Sequence, residues 1–339
     1  MSASATLKSF EKRETAERFF ALASPFLGAL DRFLVGQQER FEPELRGLVE
    51  YALSHSGKRL RPIALFLAGA DGRGEANEDM IRAAAVVEMV HLATLVHDDI
   101  LDEADVRHKQ ETVSRRFGVS SAVLLGDALF AQALEMASEF QTTEVCRLVS
   151  GATRKICAGE IEQTLEGHSE GSDIERYFRI IERKTAVLFE VSCRLGALLG
   201  FPGAHRASTA GKFGLHIGLA YQIYDDLVDV IGSEAVIGKT LGTDLASGKR
   251  TLPLLLLFEN LKMPAGDGIH DLDEGYGTDL RTLIKDSGVV RKVGGYFESE
   301  IRKAQAAASS LADEGCGLGL VDLASFVERR FASLAEMEE

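Results

Sequence analysis

The chain has 339 residues, 45% of them hydrophobic, and its 52 acidic against 38 basic residues give a formal net charge of −14. That balance excludes a general nucleic-acid binder, which would carry a basic stripe, yet leaves room for an anionic substrate, because clustered carboxylates recruit cations that reverse the local sign. Cys146, Cys157, Cys193 and Cys316 lack close paired spacing, which predicts buried thiols in a reducing compartment, without a disulfide framework or a zinc site.

The first twenty residues contain no apolar signal core. The purely apolar run 252–258 is too short to span a bilayer. The expectation is a cytoplasmic protein with no transmembrane segment, any membrane contact being peripheral and serving product release. Six prolines in the whole chain, beside abundant Ala, Leu, Glu and Arg, favour helix. The stretch 57–62, Gly57-Lys58-Arg59-Leu60-Arg61-Pro62, is a basic loop leading into a helix with Pro62 near its start. Residues 69–77 carry three glycines and form a connection.

From 81 to 101 apolar residues recur at helical spacing and nearly encircle the segment, as in a buried helix. The same spacing predicts helices at 120–139, 145–166, 174–199, 207–231 and 252–261, with a turn at 167–172 and a Gly/Asp-rich surface loop at 263–278. The C-terminal part, 263–339, carries no catalytic motif and is expected to pack as helices around that loop. No series of alternating strands is present. The fold class is therefore all-α: one domain, 1–339, built as a bundle of long helices around a central cavity. No linker divides the apolar segments, and the two acidic motifs need to meet.

Those motifs are Asp98-Asp99-Ile100-Leu101-Asp102 and Asp225-Asp226-Leu227-Val228-Asp229. Each closes an apolar helix. Residues i and i+4 share a helix face, so Asp98 lies over Asp102 and Asp225 over Asp229. Like charges on one face weaken a helix, and an apolar setting sharpens the repulsion. A hard cation relieves both, and carboxylates completed by phosphates and water are how Mg²⁺ is usually held. A lone DDxxD would read first as a solvated acidic helix end. With Asp at roughly 6% of residues, two chance copies are expected only ~0.003 times in such a chain.

With both motifs and the basic 57–62 segment in hand, the sequence resembles the trans-prenyltransferase family, the polyprenyl diphosphate synthases, over about 57–253. The resemblance implies an all-helical homodimer of the isoprenoid synthase type. Its two motifs (Asp98, Asp99, Asp102; Asp225, Asp226, Asp229) face each other across a cavity. Asp98, Asp99, Asp102, Asp225 and Asp229 would hold three Mg²⁺ ions that bind an allylic diphosphate. The GKRxRP-like segment implies that Lys58 and Arg61, with His91, bind isopentenyl diphosphate; Lys supplies a point charge and Arg a bidentate fork. Arg107 matches an arginine on the allylic diphosphate. Here the chain departs from the family's Arg-Arg-Gly, because His108 and Lys109 follow Arg107. His108 is only partly charged near neutral pH. Lys184, Thr185 and Gln222 match positions near the ionising end of the allylic substrate. Lys239 and Lys249 match positions over its diphosphate, on a glycine-punctuated segment able to close and exclude water.

The resemblance also implies that the fourth and fifth residues before the first motif guard a product tunnel. Here they are Thr94 and Ala93, with Val90 one turn above Thr94. None is aromatic, so the expected product is longer than C20. The alternatives are a short-chain farnesyl or geranylgeranyl diphosphate synthase, a terpene cyclase, a non-catalytic regulatory subunit and a metal-buffering helical protein. A cyclase would lack the GKRxRP-like segment and carry a different second motif. A regulatory subunit would have lost aspartates, and a metal buffer would not need Lys58, Arg61, Arg107 and Lys184.

Overall fold

Apolar residues at helical spacing fold as helices along nearly the whole computed structural model, which describes residues 3–54, 57–70, 76–107, 110–165, 174–200, 204–232, 248–262, 280–313 and 317–336. In chain order the helices are α1 (Ala3–Gln37), α2 (Pro43–Leu53), α3 (Leu60–Gly69), α4 (Glu78–Leu101), α5 (Val113–Phe117), α6 (Val119–Ser138) and α7 (Thr143–Leu165). There follow α8 (Ile174–Ile181), a π-helical turn at Glu182–Ala186, α9 (Val187–Gly200) and α10 (Ala204–Ile231). The last are α11 (Leu252–Leu261), α12 (Leu280–Asp286), α13 (Val289–Asp313) and α14 (Leu318–Glu336). The all-α expectation holds. The expected turn at 167–172 and loop at 263–278 lie outside the described residues.

The helices expected from periodicity are present with ends displaced by up to three residues, and local chemistry explains the displacement. Helix α4 starts at Glu78, ahead of its apolar run. The Asn77 side chain accepts a hydrogen bond from the Met80 amide at 2.9 Å, and Glu78 and Asp79 lie at the positive end of the helix dipole. Two features carry no periodic signal. The expected helix 174–199 is interrupted by the π-turn, and β1 (Val106–Arg107) pairs antiparallel with β2 (Gln110–Glu111) in a minimal ribbon.

By length and composition, Phe19–Arg40, Glu78–Leu101 and Val119–Ser138 are each long and apolar enough to cross a membrane. In Glu78–Leu101, 61% of the apolar window is buried inside the protein, so packing accounts for most of its hydrophobicity. One expectation is corrected, because the cysteines are not uniformly buried: Cys193 is buried, Cys146 intermediate and Cys157 exposed. Cys316 lies outside the described residues. Burial pushes the Cys193 thiol far above its ordinary range, with Glu190 adding to the shift, so it stays protonated.

The chain divides into two compact units, each assembled from three separated segments. Unit 1 comprises 1–153, 188–214 and 305–323; unit 2 comprises 154–187, 215–304 and 324–339. In unit 1, α4 packs along α6 and against α3 and α1. The residues Ala83, Ala84, Ala85, Val86, Val87, Met89 and Val90 of α4 are all fully buried, which is why its apolar residues encircle it. Close helix approach depends on glycines. A Cβ on Gly126 of α6 would overlap the His97 ring of α4. One on Gly196 of α9 would overlap the Leu65 carbonyl, and one on Gly200 the Gly69 carbonyl.

In unit 2, α11 packs against α8 and α12. Helices α10 and α13 are joined by His216 and the buried Glu300, 2.7 Å apart. Burial alone would push the Glu300 carboxyl up. Hydrogen bonds and charge from His216 and Lys303 outweigh it and hold the group below its ordinary range.

Candidate active site

The basic segment opens α3 in unit 1. Arg59, immediately before the helix, is left-handed (φ 53°, ψ 34°), a conformation that costs a side-chain-bearing residue about 1–2 kcal/mol. It is pinned there by ion pairs from its guanidinium to the buried Glu88 of α4 at 2.5 Å and to Asp31 of α1 at 3.3 Å. The reversal leaves Lys58 exposed and turns Leu60 into the core.

One turn further along α4 from Glu88, His91 Nε2 lies 3.0 Å from Arg61 Nη1. A guanidinium only donates, so the imidazole nitrogen accepts and the ring proton sits on Nδ1. The Arg61 guanidinium also lies 4.7 Å from the centre of the Phe189 ring, a cation–π contact that fixes its plane. Of the expected isopentenyl-side residues, Arg61 and His91 are brought into contact.

The first aspartate motif closes α4. The helical repeat extends through its cap, with the Asp102 amide donating to the Asp98 carbonyl at 2.8 Å, so the two share a face. The last turn contains no basic residue. Carboxylates there add to the negative end of the helix dipole, an arrangement that costs stability unless a cation answers it. Asp99 is buried and accepts a hydrogen bond from Arg107 Nε at 2.7 Å; the ribbon presents Arg107 to it. His108 lies outside the described residues, as does Lys109. Among the tunnel residues, Val90 and Ala93 are fully buried. Thr94 is half-buried and donates to the His91 carbonyl at 2.7 Å.

Unit 2 carries the second set. Lys184 and Thr185 sit on the π-turn, a rare i→i+5 geometry common at functional sites. Lys184 pairs with Glu160 and donates to Gln163 Oε1 at 3.0 Å, both on α7. Thr185 donates to Gln222 Oε1 at 2.8 Å; Gln222 Nε2 donates to Asp226 Oδ1 at 2.7 Å; Tyr177 donates to Asp226 Oδ2 at 2.6 Å. Both oxygens of the buried Asp226 are thus engaged by neutral donors, while Asp225 is half-buried and Asp229 buried one turn on. No basic residue occupies the last turn of α10 either. Lys249 is half-buried and follows Gly248, whose φ of 72° favours glycine. Lys239 lies outside the described residues.

Each motif offers hard oxygen donors at a helix C-terminus, a donor set that fits a divalent cation. Among the described residues no group of three or more His, Cys, Asp or Glu is arranged to hold an ion alone. Paired carboxylates instead match Mg²⁺, whose shell is normally completed by substrate phosphates and water. Glu88, Phe189, Tyr177, Glu160 and Gln163 were not expected from sequence. Each is a single residue whose role depends on a partner distant in the chain.

Comparison with known proteins agrees with this geometry. The polyprenyl synthetase family profile matches residues 42–271. The chain is 35% identical over 210 residues to the heptaprenyl diphosphate synthase component 2 of Bacillus subtilis, covering 62% of this chain and 60% of that one. It is 31% identical over 285 residues to the octaprenyl diphosphate synthase of Escherichia coli, covering 83% and 88%. The fold superposes with a TM-score of 0.80 on a polyprenyl synthase from Caulobacter crescentus complexed with calcium and isoprenyl diphosphate, at 30% identity over 92% of this chain and 96% of that one. The alignment thus spans under two thirds of the Bacillus subtilis relative, whereas the solved structure is matched nearly end to end. The chain belongs to the polyprenyl synthetase family and has its isoprenoid synthase fold.

Proposed function

We propose that the chain condenses isopentenyl diphosphate head-to-tail with an allylic diphosphate, giving a linear all-trans polyprenyl diphosphate longer than C20. The observation that carries this is the contact of Arg61 with His91 at 3.0 Å, on the same basic segment as the exposed Lys58. Arg61 offers a diphosphate a bidentate fork and Lys58 a point charge, while His91 holds the guanidinium in place. Both complete DDxxD motifs lie in the same chain.

Lys58, Arg61 and His91 hold isopentenyl diphosphate. Asp98, Asp99, Asp102, Asp225 and Asp229 would hold Mg²⁺, proposed as three ions, which when bound would supply charge to stabilise the allylic diphosphate as a leaving group. Arg107, Lys239 and Lys249 add counter-charge to it, with His108 at the position of the family's second arginine. The allylic C–O bond breaks with its electron pair on the departing oxygen. The double bond of isopentenyl diphosphate attacks the resulting cation, and a proton passes from the new adduct to the released diphosphate. Lys184, Thr185 and Gln222 orient the ionising end, Asp226 anchoring Gln222. The chain's own part is electrostatic preorganisation, with no nucleophilic side chain required. The small Ala93 and Thr94, with Val90, let the product lengthen along α4.

Val119, Val123, Leu124 and Leu134 form an exposed apolar stripe on α6, which supports a homodimer through that helix. Sedimentation at twice the chain mass is expected, and sedimentation at the chain mass contradicts it. The component 2 designation of the Bacillus subtilis relative favours a second reading, a heteromeric partner on the same face. The unpaired cysteine spacing supports a cytoplasmic setting.

The metal role is tested by Asp98→Ala and Asp225→Ala. Each is expected to lower the steady-state rate of condensation by about a hundredfold or more. Near-normal turnover in both variants contradicts it.

A further inference from the structure

Arg59 lies between the two residues assigned to isopentenyl diphosphate, yet its side chain points into the protein. Its side chain is 13% exposed and that of Glu88 9%, and they meet at 2.5 Å. Asp31, at 3.3 Å, closes the pair from α1. Glu88 and His91 are i and i+3 on α4, so they occupy one helix face. Arg59 and Arg61 flank Leu60 at the start of α3. Two cross-links therefore run side by side from α4 to the head of α3: Glu88 to Arg59, and His91 to Arg61.

The first cross-link joins groups of opposite charge. The second joins two groups that repel once the imidazole is protonated. Only the first can hold α3 against α4 independently of an anion. The left-handed backbone at Arg59 makes that hold necessary, because a side-chain-bearing residue relaxes out of this conformation when nothing retains it.

We propose that Glu88 and Arg59, with Asp31, form a positioning clamp for the isopentenyl diphosphate seat. The clamp fixes the turn that presents Lys58 and Arg61 and sets the register of Arg61 on His91. Neither Glu88 nor Arg59 touches substrate. This rests on the function proposed above.

The test is steady-state kinetics of the full chain with Glu88→Gln, Arg59→Ala and Arg59→Gly, each substrate varied in turn. Glu88→Gln keeps the shape and removes the charge. It is expected to raise KM for isopentenyl diphosphate about tenfold, while KM for the allylic diphosphate moves less than twofold. Arg59→Gly loses the anchor but relieves the backbone, so its effect is expected to be smaller than that of Arg59→Ala. A role in stability alone would move both KM values together, or neither, and would make the two Arg59 variants follow their melting temperatures. An unchanged KM for isopentenyl diphosphate in folded Glu88→Gln overturns the clamp. Should that variant not fold, the order of the Arg59 variants decides, and equal effects of Gly and Ala overturn it. Wild-type protein that makes no product would count against the proposed function, a separate outcome.

Discussion

Asp226 shows what a residue's neighbours add to a motif. In the sequence it is the middle of three equivalent aspartates. In the fold, Tyr177 and Gln222 each donate to one of its oxygens, at 2.6 and 2.7 Å, and Thr185 holds Gln222 in turn. A carboxylate with both oxygens engaged acts as a strut that orients α10 and its flanking Asp225 and Asp229. Tyr177→Phe removes one donor from a buried carboxylate, a loss of about 1–3 kcal/mol. The expected result is a lower melting temperature and a raised Mg²⁺ concentration for half-maximal activity. Unchanged metal dependence in the variant would contradict the strut. The aspartates were legible because their number and spacing are improbable by chance. Tyr177 was not, because one tyrosine in an amphipathic helix carries no spacing signal and its partner lies 49 residues away. Glu88 was hidden in the same way, as a single acid within a buried helix.

Among the elements, the long helices were legible because burial imposes a period, and their ends shifted only where caps such as Asn77 took over. The π-turn at Glu182–Ala186 was invisible, since one extra residue per turn leaves composition unchanged. The ribbon that holds Arg107 was invisible too, because two residues per strand cannot show alternation. Helix α9 links packing to the site: its Phe189 lies under Arg61, and its Gly196 lets α3 approach to backbone contact. Gly196→Ala sets a Cβ against the Leu65 carbonyl and is expected to destabilise the protein by about 1–3 kcal/mol. Thermal unfolding checks it, and an unchanged melting temperature would mean that α3 and α9 separate without cost. Hydrophobicity alone does not tell a bilayer from a protein interior, and in Glu78–Leu101 most of it is buried within the protein.

Across the whole molecule, a chain of net charge −14 belongs to a family whose substrates, as proposed here, are diphosphates. The apparent conflict resolves locally. Acidic residues gather at two helix ends, where a cation would relieve their repulsion, and Lys58, Arg61 and His91 are the groups proposed to meet an anion. Unit 1 holds Lys58, Arg61, His91 and the first motif; unit 2 holds the second motif with Lys184, Thr185 and Gln222. Neither unit carries the full set of residues proposed for elongation. The measurement that tests this most directly is product analysis. Purified protein is incubated with isopentenyl diphosphate, Mg²⁺ and geranyl, farnesyl or geranylgeranyl diphosphate in turn, and chain lengths are read by mass spectrometry. All-trans products longer than C20 are the predicted result. Folded protein that forms no product with any of the three primers would contradict the account.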